Sequence, residues 1–331
     1  MSRRLASWRL LVGPIAVVLL AGCASAGGPT PTPATRNVAY EAANPALVPG
    51  VLDVYAPAKA GPWPVVVMFH GAPGNDPLTD RSGLGEHARR VADLGFVVFN
   101  ASWGHVRGGA VGAPTYDELL AVQSEAACAV EFARAHAAEY GGDPATMIVF
   151  GHSGAAHAAA MAAFTRPEPT AGCLGGATLG EIDALVTWEG NWMLSVNEPD
   201  WDGALAGDSR IMDVVTPWTH LAEHTDQRVV MLVSEHPGAF FERKVGDPWA
   251  ADSWLAVRDP SGDLRRQLVA NGAFADGTLD FVEAQQLLYS VLKAQGNPVS
   301  LDVMPASTHT DLSGEGWKVF LAAFPKAAAK D

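Results

Sequence analysis

The stretch Met147-Ile148-Val149-Phe150-Gly151-His152-Ser153-Gly154-Ala155-Ala156-His157 constrains this chain more than any other. Four apolar residues run into Gly-x-Ser-x-small, and an alanine-rich helical pattern follows. A buried strand that breaks into a helix through such a corner can hold a serine hydroxyl out at the top of a sheet. The serine sits in a strained conformation there, so small neighbours are needed on both sides. Gly151, Gly154 and Ala155 supply them, although the usual pattern has glycine where Ala155 stands. Alone, the motif reads equally as a nucleophile corner or as an ordinary strand-to-helix turn. The rest of the chain has to supply the partners.

Around this stretch, apolar runs alternate with helical patterns. Val51–Tyr55, Val65–Phe69, Phe96–Phe99, Ile182–Trp188, Val229–Val233 and Val299–Met304 read as strands. Val65–Phe69 is continuously apolar, as a strand covered on both faces must be. Helical patterns lie at about 83–94, 116–140, 154–164, 281–294 and 316–323. Gly141-Gly142-Asp143-Pro144 stops the second of these, and Gln295-Gly296-Asn297-Pro298 the fourth. This alternation predicts a mostly parallel central sheet with right-handed crossovers, flanked by helices. Two long segments break the rhythm, about 191–227 and 236–275, and both are rich in Trp, Pro and Asp. Trp192, Trp201, Trp218, Trp249 and Trp254 fall in them. Such insertions either form satellite cores or wall a substrate site.

The N-terminus reads as a targeting segment. Arg3, Arg4 and Arg9 precede an apolar run, Leu10–Leu20, that is too short for an ordinary membrane span. The run ends in Leu20-Ala21-Gly22-Cys23, which resembles a bacterial lipobox with Cys23 as the lipidated new N-terminus; a plain secretory signal is the alternative. Residues 1–22 are then a signal peptide, 23–35 a flexible Ala/Gly/Pro/Thr tether, and 36–331 a single domain in an extracytoplasmic, membrane-anchored protein. Residues 1–22 contain three arginines and no acid, so their removal takes the formal net charge from −14 to −17. A surface this acidic argues against a nucleic-acid partner. In an oxidising compartment Cys128 and Cys173 are a candidate disulfide, with two buried free thiols as the alternative.

Several features together resemble the α/β-hydrolase fold family, and more narrowly its small carboxylesterase and dienelactone-hydrolase-like members. They are Leu52-Asp53-Val54-Tyr55-x-Pro, His70-Gly71, Gly142-Asp143-Pro144, Gly151-His152-Ser153, Asp276-Gly277-Thr278 and His309. The resemblance implies a serine hydrolase that cleaves carboxylic esters through an acyl-enzyme, without a cofactor or a catalytic metal. Ser153 would be the nucleophile and His309, after the last strand, the base. Backbone N–H groups of Gly154 and of Ala72 would form the oxyanion hole, since Pro73 has no N–H to give. The acid is expected beyond Val229–Val233. Asp276 is preferred because a helix, a strand and then His309 follow it, and Glu235 is the alternative. His152 and His157 would pack or hydrogen-bond around the serine corner. His220 and His224 have helical metal spacing but lack the carboxylate placement of His-Glu-x-x-His, so no zinc is expected. Two other readings remain open at this point: a non-catalytic binding lipoprotein on the same scaffold, and an esterase for polymeric substrates such as plant-wall esters or polyesters.

Overall fold

The computed structural model describes residues 35–42, 50–71, 77–104, 116–176, 178–190, 210, 217–237, 243–244, 278–279 and 281–329. All fall in one compact unit, Pro31–Asp331. Eight strands form the main sheet: β1 (Thr35–Ala39), β2 (Val51–Tyr55), β3 (Trp63–Phe69), β4 (Val97–Ala101), β5 (Gly142–His152), β6 (Ala184–Trp188), β7 (Arg228–His236) and β10 (Val299–Thr308). Their order is β1-β2-β4-β3-β5-β6-β7-β10. β1 and β2 pair antiparallel, as do β2 and β4, and every later pair is parallel. Two short strands, β8 (Arg243–Lys244) and β9 (Thr278–Leu279), pair antiparallel in a separate small sheet.

The continuous apolar runs are explained by burial on both faces. In β3, Val65, Val67 and Phe69 join one core cluster, and Val66 and Met68 join the other. The first cluster is closed by α3 (Tyr116–His136), α4 (Gly154–Thr165) and α5 (Phe281–Gln295), through residues such as Cys128, Ala159 and Leu288. α2 (Gly85–Asp93) and α6 (Gly314–Ala328) close the second, through Ala88, Val91, Phe320 and Phe324. A short helix, α1 (Pro77–Ser82), precedes α2. Side chains alternate across a strand, so a strand sandwiched between two helical layers has no polar face to spare.

Most element boundaries lie within a few residues of those read from sequence, and two departures have clear causes. β5 begins at Gly142, ahead of its apolar run, because Trp63 and Pro64 pair with Gly142 and Asp143. The turn chemistry there opens the strand instead of preceding it. α6 runs to Ala328 through Pro325, because Phe320, Ala323, Phe324 and Ala327 bury one continuous stripe and packing outweighs propensity. A disulfide joins Cys128 on α3 to Cys173 beyond α4, with Cα atoms 5.3 Å apart. Cys23 and most of the two insertions lie outside the described residues, including Trp192, Trp201, Trp249 and Trp254. Trp218 falls on a short 3-10 turn, Pro217–His220.

Candidate active site

Parallel strands deliver their carboxyl ends to one edge, where a sheet of this kind holds its ligand. β5 ends there in His152, and Ser153 follows at φ 53°, ψ −125°, a left-handed conformation unusual for a residue with a Cβ. The corner is tight. A Cβ on Gly151 would come 2.4 Å from the carbonyl oxygen of Ala155, so glycine is obligatory at that position. Ser153 N–H donates to the Trp188 carbonyl of β6 at 2.9 Å, which fixes the corner against the neighbouring strand. Gly154 opens α4, so its N–H belongs to a first turn with no intrahelical acceptor.

The Ser153 hydroxyl donates to His309 Nε2 at 2.9 Å. His309 Nδ1–H in turn donates to Glu189 Oε2. This pairing fixes the tautomer: a carboxylate at Nδ1 leaves Nε2 bare to accept the serine proton. Glu189 follows β6 directly and is fully buried, with its backbone at φ 52°. A buried carboxylate is tolerable only when its oxygens are satisfied. Here Oε1 accepts from Ser234 N–H at 3.0 Å, Oε2 accepts from His309, and the Glu189 N–H donates to Leu232 O at 2.9 Å.

The acid is therefore a correction to the sequence expectation. Asp276 lies outside the described residues. Glu235, the alternative, is exposed and accepts from Ala306 N–H at 2.7 Å. The carboxylate on His309 comes from the end of β6, one strand nearer the serine than expected. Its signal was Val186-Thr187-Trp188-Glu189-Gly190, in which a carboxylate abuts an apolar strand and glycine follows. That layout resembles the serine strand, whereas the sequence expectation places the acid beyond the following strand. Of the two expected oxyanion donors, Gly154 stands at the helix start, and Ala72 lies outside the described residues. Its neighbour Gly71 sits close to the corner, where a Cβ would be 3.5 Å from Ser153 Cβ. Trp103 Nε1–H holds the preceding carbonyl, of His70, at 2.9 Å.

Three histidines in this part of the molecule are kept neutral. Burial, and then the neighbouring His309, push His152 down to about 3. Burial alone lowers His157 to about 4, and burial with Arg90 lowers His87 to about 4. Glu125, whose Oε2 accepts from Gly104 N–H at 2.7 Å, is pushed up to about 8, chiefly by burial. The histidines have folded values below the unfolded 6.5, so their stabilisation is present above that pH and is lost as pH falls toward 4. Glu125 acts oppositely: its contribution is full below 4.5 and is lost as pH rises toward 8. Between pH 4.5 and 6.5 three groups oppose one. Stability should therefore fall on acidification by about 2 kcal/mol per pH unit, with a maximum near pH 6.5 and a shallow decline above it. Melting temperatures from pH 4 to 9 check this, and a profile flat below pH 6 would contradict it.

The strand order, the serine corner and a histidine after the last strand give the chain the α/β-hydrolase fold. Residues 52–190 match the BD-FAE family model, an α/β-hydrolase domain of esterase type. Among solved structures, the apo form of Thermogutta terrifontis esterase 2 superposes with a TM-score of 0.57 at 16% identity, covering 90% of this chain and 97% of that one. A propionate-bound thermophilic esterase from the same planctomycete gives 0.56 at 16%, covering 89% and 93%. The paraoxon-phosphorylated form of esterase 2 gives 0.56 at 15%, covering 87% and 90%. No curated protein sequence matches the chain significantly.

Proposed function

We propose that the protein is a serine hydrolase of carboxylic esters, with Ser153 as nucleophile, His309 as base and Glu189 as the acid that orients it. One observation carries this reading: the continuous hydrogen-bonded series Ser153–His309–Glu189 at the carboxyl edge of the sheet. Ser153 Oγ attacks the ester carbonyl carbon as its proton passes to His309 Nε2. The carbonyl oxygen becomes an oxyanion, received by the N–H of Gly154 and, from the loop after His70, that of Ala72. Collapse breaks the bond to the alcohol oxygen, and His309 returns the proton to the departing alcohol. Water then attacks the acyl-enzyme by the same route and releases the acid. Propionate bound to Thermogutta terrifontis esterase 2, and phosphorylation of that same esterase by paraoxon, support an ester substrate and a reactive centre of this type.

A fluorophosphonate probe tests the reading. Stoichiometric labelling of the folded protein, mapped to Ser153, is expected, and a folded protein that takes no label would remove the enzymatic reading in favour of a binding module. The lipobox at Cys23 supports attachment to the outer face of a bacterial membrane through a lipid. Metabolic incorporation of an alkyne fatty acid, absent from Cys23→Ser, is the expected result. Equal incorporation by the variant would disprove attachment at Cys23.

A further inference from the structure

His309 leaves the last strand of the sheet order, β10, just past an irregular stretch. The β10–β7 ladder shifts register between Met304 and Thr308, and Ala306 stands at φ 48°. The backbone of the following residues fixes where the imidazole lies, and a base must be held to within about half an ångström to act. The ladder resumes there at a single pair, Thr308 opposite His236, so more is needed to hold that peptide.

Two side-chain donors do so, one on each flanking carbonyl. Ser234 Oγ–H donates to Thr308 O at 2.7 Å, and His152 Nε2–H donates to His309 O at 2.8 Å. Ser234 is fully buried on β7, and its hydroxyl receives Trp188 Nε1–H at 3.3 Å, so its own proton is directed toward Thr308. Its backbone N–H is the donor to Glu189 Oε1. One residue thus touches both the acid and the peptide ahead of the base. His152 precedes the serine in the chain, so its bond ties the base loop to the nucleophile corner. Its ring lies 4.2 Å from that of Trp188 and 4.9 Å from that of His309, centroid to centroid.

We propose that His152 and Ser234 are positioning residues that clamp the two carbonyls flanking His309 and so set the base against both Ser153 and Glu189. The inference rests on the serine-hydrolase reading of the same site. Donation from Nε2–H leaves Nδ1 of His152 bare on the side of Gly71, where a Cβ would stand 3.5 Å from it. The clamp must also stay uncharged, because a cation beside His309 would oppose the proton that His309 has to accept. Enclosure of His152 by Trp188 and His309 keeps it neutral.

The test uses His152→Phe, which keeps a ring and loses the donor, His152→Gln, which restores an N–H donor, and Ser234→Ala. With p-nitrophenyl acetate, His152→Phe and Ser234→Ala should each lower kcat about 10- to 100-fold with KM within about twofold, and His152→Gln should recover most of the loss. The proton between His309 Nδ1 and Glu189 should give a low-field NMR line in the wild type that broadens or disappears in the two losing variants. Folded variants with a lowered Tm, unchanged kcat and an unchanged low-field line would reduce both residues to packing and overturn the proposal. Failure of His152→Gln to recover activity would overturn the donor role of His152. Should His152→Phe not fold, His152→Gln and Ser234→Ala are still decisive: an unchanged kcat in Ser234→Ala rejects the clamp. A wild type without esterase activity would sink the hydrolase reading, and the low-field line would then still decide the clamp.

Discussion

Ser153→Ala should lower kcat for p-nitrophenyl acetate by about a millionfold and abolish fluorophosphonate labelling. The effect is this large because the hydroxyl supplies the bond-forming atom, and knockouts of such a nucleophile cost on the order of 10^6 in rate. Alanine is a clean replacement here. It keeps the Cβ that Ser153 already carries at φ 53°, so the corner stores no new backbone strain. The Ser153 hydroxyl spends its proton on His309 Nε2, and its loss leaves a partly exposed imidazole nitrogen that water can satisfy. The variant should therefore fold with a Tm close to that of the wild type. Retained labelling in Ser153→Ala would show that the reactive group lies elsewhere and would dismantle the site as described.

Glu189→Gln should cost about 10^4 in kcat/KM, equivalent to about 5.5 kcal/mol of transition-state stabilisation. A glutamine keeps the shape, but its amide N–H can face His309 Nδ1 and favour the tautomer with the proton on Nε2. That tautomer cannot take a proton from Ser153. The imidazolium that forms during attack also loses its buried counter-charge. Glu235→Gln provides the contrast. Its remaining carbonyl oxygen can still accept from Ala306 N–H, so activity should stay within about threefold of wild type. Asp276→Asn should likewise leave the rate within about threefold, since His309 Nδ1 is already taken by Glu189. Steady-state kinetics on the three variants decide the matter. A loss of orders of magnitude in Glu235→Gln or Asp276→Asn, with Glu189→Gln near wild type, would return the acid to the loop beyond β7.

Ser153 and His309 were legible in the sequence because each is announced by local chemistry. The serine needs small neighbours and an apolar strand before it, and Gly151, Gly154 and Ala155 stand in the chain for anyone to read. His309 follows the strand Val299–Met304 at the end of the alternation, and a base in this fold comes after the last strand. Glu189 has no comparable local requirement. A carboxylate after a strand can be a solvated cap, an ion-pair partner or a catalytic group, and its neighbours in sequence do not distinguish these. The distinction comes from Ser234 and His309, 45 and 120 residues away, whose N–H groups converge on it.

The same reasoning separates the two uses of histidine. His152 and His309 are both single histidines next to hydroxyl residues in the sequence. Only the approach of β5 to the β10 loop makes one of them a donor to the other's carbonyl.

The sequence by itself determined the strand–helix alternation, the parallel sheet and the serine corner, because hydrophobic period and glycine sterics act over a few residues. Only the tertiary structure decided which carboxylate faces His309 and which donors hold its loop. Those choices depend on which strand ends the sheet order brings side by side. Strand order follows from the packing of whole layers, through pairs as distant in the chain as Val65 and Met147, and no local window of sequence encodes it.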